Sequence, residues 1–123
     1  MDKRILVLGD NRDILDVVTE ALTYAHYLVR DISLGSQLFD AIRDFKPDLI
    51  LLDHRLADAS GVDLCHQLKG NIEYRHIPVL IFSAYVNPGE KLPVDCDGYL
   101  YKPLDLAELF RVVQQFLSKE LAS

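Results

Sequence analysis

Residues 47–55 read Pro-Asp-Leu-Ile-Leu-Leu-Asp-His-Arg and contain the strongest structural signal in the chain. Four consecutive aliphatic residues between a proline and charged residues are typical of a strand that is buried on both faces. Such a strand lies in the middle of a parallel sheet. Because open α/β sheets place their sites at the carboxyl ends of the strands, the sequence predicts that Asp53 lies at a functional edge.

The composition limits both the size and the class of the protein. The chain has 123 residues, half of them hydrophobic, and a formal net charge of −6. We therefore expect one domain, residues 1–123, with its own core. The negative charge opposes direct binding of nucleic acid or of an anionic membrane. No signal segment or membrane-spanning apolar run is found in the sequence, so a cytoplasmic location is expected.

The two cysteines of the chain, Cys65 and Cys96, give no sign of a local pair. Neither belongs to a CxxC motif, and no histidine lies at a spacing that is typical of zinc sites. We therefore expect free thiols in a reducing compartment, with Cys65 as a core residue.

Strands and helices are predicted to alternate along the chain. Short apolar runs predict five strands, at residues 4–8, 27–32, 49–53, 76–82 and 98–101. Apolar residues at helical spacing predict helices at residues 14–22, 36–46, 62–69 and 105–121. This order indicates an α/β fold, a single-domain, doubly wound, five-stranded parallel sheet with helices on both faces. Because Pro88, Gly89 and Pro93 interrupt the segment between the last two strands, the fourth helix of such a fold is expected to be short or irregular.

Chemically useful side chains lie at or just after the ends of four of these strands: Asp10, Asp53, Ser83 and Lys102. Two carboxylates at one sheet edge repel each other unless a cation lies between them, and oxygen ligands suit Mg2+. A lysine and a hydroxyl nearby would complement the oxygens of a phosphoryl group, and a carboxylate can itself accept that group. The pattern predicts Mg2+-assisted phosphoryl transfer to Asp53, with Asp10 as the dedicated metal ligand.

Four motifs extend this prediction to most of the chain. They are Ile-Leu-Val-Leu-Gly-Asp at 5–10, Pro-Asp-Leu-Ile-Leu-Leu-Asp at 47–53 with Gly61 eight residues on, Ile-Pro-Val-Leu-Ile-Phe-Ser-Ala at 77–84, and Gly-Tyr-Leu-Tyr-Lys-Pro at 98–103. In this order and spacing they resemble a response-regulator receiver domain of the chemotaxis-regulator type. The resemblance implies the strand order 2-1-3-4-5. It also implies a signalling switch with weak self-phosphorylation and autodephosphorylation chemistry, and not an enzyme that turns over a metabolite.

The resemblance also implies a chemical role for individual residues. Asp53 would accept a phosphoryl group from the phosphohistidine of a histidine kinase or phosphotransfer protein. The side chains of Asp10 and Asp53 and the backbone carbonyl of Arg55 would bind Mg2+. Ser83 and Lys102 would bind the phosphoryl oxygens.

The implied output is a change of surface. Ser83 would follow the phosphoryl group and Tyr99 would move inward, which would alter binding of an unknown downstream protein or of a second copy in a weak homodimer. Two departures from the family pattern bear on the site. Gly9 stands where the first strand usually carries an additional acid, so Mg2+ is expected to bind more weakly, and Ala57 replaces a proline, so the loop after Asp53 is expected to be looser.

Simpler interpretations remain open for several residues. Either Asn11 or Asp10 could cap the first helix, and Asp10 could do so with or without binding a metal ion. Tyr99 could be an ordinary half-buried strand residue. We interpret His54 as a loop histidine and not as a catalytic one, since adjacent strand residues point to opposite faces. Asp58 and Asp63 are expected to be solvated.

Two other functions also remain open. One is a receiver-like interaction module that works without phosphorylation, which Gly9 and the interrupted fourth helix motivate. The other is a flavin- or nucleotide-binding protein of the same topology. Residues 9–13, Gly-Asp-Asn-Arg-Asp, oppose it because a phosphate cradle needs several glycines and open N–H groups.

Overall fold

A five-stranded parallel sheet lies at the centre of the computed structural model, which describes residues 2–54, 56–83, 96–101 and 105–122. The strands are β1 Arg4–Leu8, β2 Leu28–Ile32, β3 Leu49–Asp53, β4 Val79–Ser83 and β5 Gly98–Tyr101. Their order in the sheet is β2-β1-β3-β4-β5, and every neighbouring pair is parallel. The predicted fold class and strand order are confirmed, and β3 is the central strand.

Helices cover both faces of this sheet. They are α1 Arg12–Tyr24, α2 Leu38–Phe45, which a 3-10 turn at Gly35–Gln37 precedes, α3 Gly61–Lys69 and α4 Leu106–Ala122. Across the described parts of the chain, no helix has the length and apolar character needed to cross a membrane. The helix expected to be short or irregular between β4 and β5 falls on residues 84–95, outside the described residues.

Side chains alternate between the two faces along each strand, as strand geometry requires. The first face packs against α1 and α4, and its buried strand residues are Ile5, Val7, Leu49, Leu51, Leu80, Phe82 and Leu100. The second face packs against α2 and α3, and its buried strand residues are Leu6, Leu8, Ile50, Leu52, Val79 and Ile81. The four aliphatic residues of β3 have no exposed surface. The prediction of a strand buried on both faces is therefore confirmed.

The fourth strand, β4, begins later in the chain than predicted. It begins at Val79 instead of residue 76. The preceding residues form a turn in which the Ile77 N–H donates to the Tyr74 carbonyl at 3.0 Å, and Pro78 has no N–H to contribute to a strand ladder. The apolar pattern could not separate this turn from the strand.

The two cysteines form a disulfide, which corrects the prediction of free thiols. Their Cα atoms lie 6.2 Å apart although the residues are 31 positions apart in the sequence. Cys65 lies on α3 and is fully buried, as expected for a core residue, whereas Cys96 is half-buried just before β5. A pairing over this sequence distance has no local signal, because only the folded sheet brings the start of β5 beside α3.

Hydrogen bonds hold the loop between β3 and α3. Asp58 Oδ1 accepts from the Gly35 N–H at 2.7 Å, and Asp58 Oδ2 accepts from the Ser36 N–H at 3.1 Å. Within the loop, the Leu56 N–H donates to the Ala59 carbonyl at 3.0 Å. Asp58 is exposed, as expected, but its carboxylate also accepts these two backbone hydrogen bonds, which the sequence did not indicate. The carboxylate therefore ties the loop to the segment before α2.

The Asp58 bonds predict a component of stability that depends on pH. The Gly35 N–H, and after it the Ser36 N–H, hold the pKa of Asp58 below its ordinary value of 3.8. A carboxyl whose pKa is lowered by folding stabilises the fold fully above its unfolded pKa, and this contribution is lost as the pH falls from there through the lowered value. We expect Asp58→Asn to lower the urea midpoint at neutral pH and the difference from wild type to shrink at acidic pH.

Asp63→Asn is the matched control for this prediction, because Asp63 is an exposed carboxylate in the first turn of α3. Its effect on the urea midpoint should be smaller at neutral pH. Equal effects of the two substitutions at every pH would contradict a special role for Asp58.

Candidate functional site

Asp53 ends the central strand and is buried at the carboxyl edge of the sheet. Its exposed fraction is 6%, and His54 beside it is 9% exposed. The pairing of β3 with β4 continues past Asp53, since the His54 N–H donates to the Phe82 carbonyl at 3.0 Å. Asp53 lies opposite Phe82 in the register of these strands. The carboxylate is therefore carried by backbone that is held on one side by β4.

Gly9 lies directly beside the Asp53 carboxylate. A Cβ at Gly9 would lie 3.7 Å from Asp53 Oδ2, 3.6 Å from the Phe82 ring and 3.7 Å from Leu15, all ordinary contact distances. Its N–H donates to the Ile32 carbonyl at 3.1 Å, so the pairing of β1 with β2 reaches this residue. The position has room for a side chain that would point toward Asp53.

Asp10 follows Gly9 and is exposed to solvent. The sequence left open whether Asp10 or Asn11 caps α1, and the structure gives that position to Asn11, whose Oδ1 accepts from the Ile14 N–H at 3.2 Å. Asp10 is therefore not needed as the cap. It offers a second carboxylate at the same edge as Asp53, and this one is exposed to solvent whereas Asp53 is buried.

Gly61 allows α3 to begin against the backbone of Asp53. A Cβ at this position would overlap the Asp53 carbonyl oxygen and would lie 2.9 Å from its carbonyl carbon. The Gly61 N–H donates to the His54 carbonyl at 3.0 Å. Glycine is therefore required here by close approach, and the motif position eight residues after Asp53 has a direct structural reason.

The structure places part of the remaining predicted site. The backbone of Ser83 ends β4, the strand next to β3, so it reaches the same edge as Asp53. Tyr99 lies on β5 opposite Ile81 and is half-buried among residues of the second face. Arg55 and Lys102 lie outside the described residues.

The oxygen donors at this edge fit a hard cation such as Mg2+. Asp10 and Asp53 supply two carboxylates, and Mg2+ is commonly held by one or two carboxylates together with water and phosphate oxygens. In the described ranges, no three or more His, Cys, Asp or Glu side chains form a group that could hold a metal ion. An acid at position 9 would add a further carboxylate close to Asp53, since a Cβ there would lie 3.7 Å from Asp53 Oδ2.

An ion-pair network at the start of α1 was not anticipated from the sequence. Arg12 Nη2 lies 2.6 Å from Asp16 Oδ1 and 2.7 Å from Asp31 Oδ2. The hydrogen bond to Asp16, followed by that to Asp31, raises the pKa of Arg12. Arg12 follows Asp10 by two residues, yet this network directs its charge toward α1 and the end of β2. Exposed pairs of this kind contribute little stability.

A comparison with protein-family models shows which family the chain belongs to. Residues 5–114 match the family model described as the response regulator receiver domain. The chain belongs to this family. Receiver domains are signalling switches of two-component systems, so the resemblance drawn from the four sequence motifs is confirmed.

Individual relatives agree with this membership. The polar-differentiation response regulator DivK of Brucella anthropi is 27% identical over 120 residues, which cover 95% of this chain and 98% of the relative. The receiver domain of a sensor histidine kinase from Pseudomonas aeruginosa has a TM-score of 0.85 at 24% identity and covers 97% of this chain and 100% of that one; it was solved with magnesium in its active-site cleft. Chemotaxis protein CheY4 of Vibrio cholerae has a TM-score of 0.84 at 20% identity, with 94% and 99% covered. These two structures support the fold.

The contact between Gly61 and Asp53 predicts a large effect of one methyl group. Gly61→Ala should lower the free energy of unfolding by about 1–3 kcal/mol, because α3 must shift away from the Asp53 carbonyl. Gly70→Ala is the matched control at the other end of α3, where the nearest atom to a new Cβ is 3.4 Å away. Urea denaturation compares the two, and equal stabilities would contradict the close-approach interpretation.

The space beside Asp53 predicts that an acid at position 9 strengthens cation binding. Gly9→Asp should raise the affinity for Mg2+ by about tenfold, since one more charge a few ångströms from a divalent ion contributes on the order of 1–3 kcal/mol. Calorimetric titration with Mg2+ measures the change. Gly9→Asn is the matched control of equal size, and a similar gain in both variants would exclude charge as the cause.

Proposed function

We propose that this receiver accepts a phosphoryl group on Asp53 from the phosphohistidine of a histidine kinase or phosphotransfer protein. The observation that carries the proposal is a buried carboxylate at the carboxyl end of the central strand, in a chain that belongs to the receiver family. Burial of Asp53 on a strand held by β4 supports the proposal, because it would restrict the movement of the acceptor oxygen and so favour reaction with a bound donor.

The transfer moves one phosphoryl group between two protein side chains. An Asp53 carboxylate oxygen attacks the phosphorus atom of the phosphohistidine, so a P–O bond forms while the P–N bond breaks. The imidazole nitrogen leaves with the electron pair of that bond and takes up a proton. The protein then carries an aspartyl phosphate, and its hydrolysis would return the switch to its initial state.

Asp10, Asp53 and the backbone carbonyl of Arg55 would hold Mg2+ at this site. The bound ion would neutralise the negative charge that gathers between the carboxylates and the phosphoryl oxygens. The two carboxylates at one sheet edge support this assignment, as does the magnesium seen in the cleft of the Pseudomonas aeruginosa receiver. Ser83 and Lys102 would bind the phosphoryl oxygens.

The proposed output is a change of protein-binding surface. Ser83 would follow the phosphoryl group, and Tyr99, half-buried on β5, would change its position in response. The partners would be a kinase or phosphotransfer protein and a downstream protein in the cytoplasm, with a weak homodimer as a further outcome. The net charge of −6 opposes direct binding of nucleic acid or an anionic membrane.

A phosphorylation-independent interaction module is the alternative. Gly9 supports it, because the position beside Asp53 carries no additional acid to help retain the cation. In that case the surface would bind its partner in the unmodified protein.

Intact mass after incubation with Mg2+ and acetyl phosphate tests the proposal. The wild type should gain one phosphoryl group and Asp53→Asn should gain none, because the acceptor oxygen has been replaced by an amide. Phosphoramidate serves as a second donor of different chemistry. If neither donor modifies the wild type, or if both proteins are modified equally, the interaction module is the better description.

A further inference from the structure

Two adjacent links join α3 to the start of β5. Cys65 on α3 forms the disulfide with Cys96, and one turn further along α3 the Lys69 Nζ lies 2.6 Å from Asp97 Oδ2. Residues four apart on a helix share one face, so both links leave the same side of α3. The Asp97 carboxylate also accepts from the Val79 N–H at 2.7 Å, which connects this point to the first residue of β4.

The disulfide lies close in sequence and in packing to the proposed switch residue. Cys96 precedes Tyr99 by three residues, and both pack with Cys65 in the cluster on the second face. Gly98, between them, pairs with Leu80 of β4 in the register of the sheet. Because Cys96 and Tyr99 contact the same cluster as Cys65, a movement of Tyr99 or of the start of β5 would act on the link to α3.

We propose that the Cys65–Cys96 disulfide is a redox-controlled clamp that holds the start of β5 against α3 and limits the switching movement of this receiver. The proposal rests on the function proposed above, including its cytoplasmic setting. Disulfides of cytosolic proteins are usually transient and serve catalysis or redox sensing. The Cys65–Cys96 disulfide joins α3 to the segment just before β5, the strand that carries Tyr99, so its position suits redox sensing.

The opening reaction is thiol–disulfide exchange with a cellular dithiol. Cys65 is fully buried and Cys96 is half-buried, so the attack falls on Cys96 Sγ. A thiolate of the reductant forms an S–S bond with Cys96, and Cys65 leaves as a thiolate and takes up a proton. The second thiol of the reductant then displaces Cys96. The protein gains two electrons and two protons, and the dithiol becomes a disulfide; a disulfide oxidant reverses the reaction.

The second link limits the consequence of reduction. The Lys69–Asp97 ion pair does not depend on redox state, and the Asp97 N–H donates to the Val79 carbonyl at 3.0 Å in addition to the side-chain contact. Reduction should therefore loosen the start of β5 while the sheet stays assembled. The proposed device is a change in mobility of one strand and not an unfolding transition.

Alkylation and hydrogen exchange on the full chain test the clamp. Protein treated with glutathione disulfide, then denatured and alkylated, should carry no label, and protein treated with dithiothreitol should carry two. Amide exchange of residues 96–101 should be about tenfold faster in the reduced form, because local opening sets this rate. Exchange of β1 and β3 should be unchanged. Two labels after the oxidising treatment, or equal exchange in both forms, would overturn the clamp.

Two variants separate the disulfide from general loosening of this region. Cys96→Ser should exchange like reduced wild type under both redox conditions. Asp97→Asn removes the ion pair but keeps both cysteines, so its exchange should still differ between oxidised and reduced forms. A redox effect that persists in Cys96→Ser would show that another group is responsible.

The rate of phosphorylation by acetyl phosphate with Mg2+ tests whether the clamp regulates the receiver. Reduced protein should be phosphorylated several-fold faster than oxidised protein, and Cys96→Ser should match the reduced rate under both conditions. Equal rates in two forms that differ in exchange would overturn the regulatory role of the clamp. If neither redox form of the wild type is phosphorylated, the proposed function fails, while the exchange data still decide whether the clamp exists.

Discussion

The burial of β3 on both faces is the constraint on which the rest of the structure depends. Its aliphatic residues have no exposed surface, so helices must cover both sides of the sheet and other strands must flank it. The same strand ends at Asp53. Gly61 then allows α3 to start against the Asp53 backbone. The core and the candidate site therefore share one element, and a change that shifts β3 would also shift the carboxylate.

Most of the fold could be predicted because its elements have strong local patterns. The apolar runs of β1 and β3 and the helical spacing in α4 identify these elements directly, and parallel strands bring Asp10, Asp53 and Ser83 to one edge. Contacts between distant residues left no such pattern. The disulfide joins two cysteines that are 31 positions apart in the sequence, and its formation depends on where α3 and the start of β5 meet in three dimensions.

The electrostatic surroundings of the site were the least predictable part. Several acids lie near Arg12 in the sequence, and only the folded structure selects Asp16 and the distant Asp31 as its partners. The two carboxylates of the site also differ in a way that their types do not reveal, because Asp53 is buried and Asp10 is exposed. In the proposed function, Asp53 would be a buried acceptor and Asp10 a solvated metal ligand, an arrangement that would let water reach the cation while the acceptor stays fixed.

The bond between Asp58 and Gly35 has a consequence for the exchange of parts between receivers. A side chain at Gly35 would bring its Cβ within 2.8 Å of the Ala59 Cβ, so the identities of residues 35, 58 and 59 depend on one another. A chimera could replace the loop after Asp53 with the loop of another receiver. The imported loop would then match the segment before α2 of that other receiver and not residues 35 and 36 of this chain. The two segments, although 23 positions apart, form a single transplantable unit.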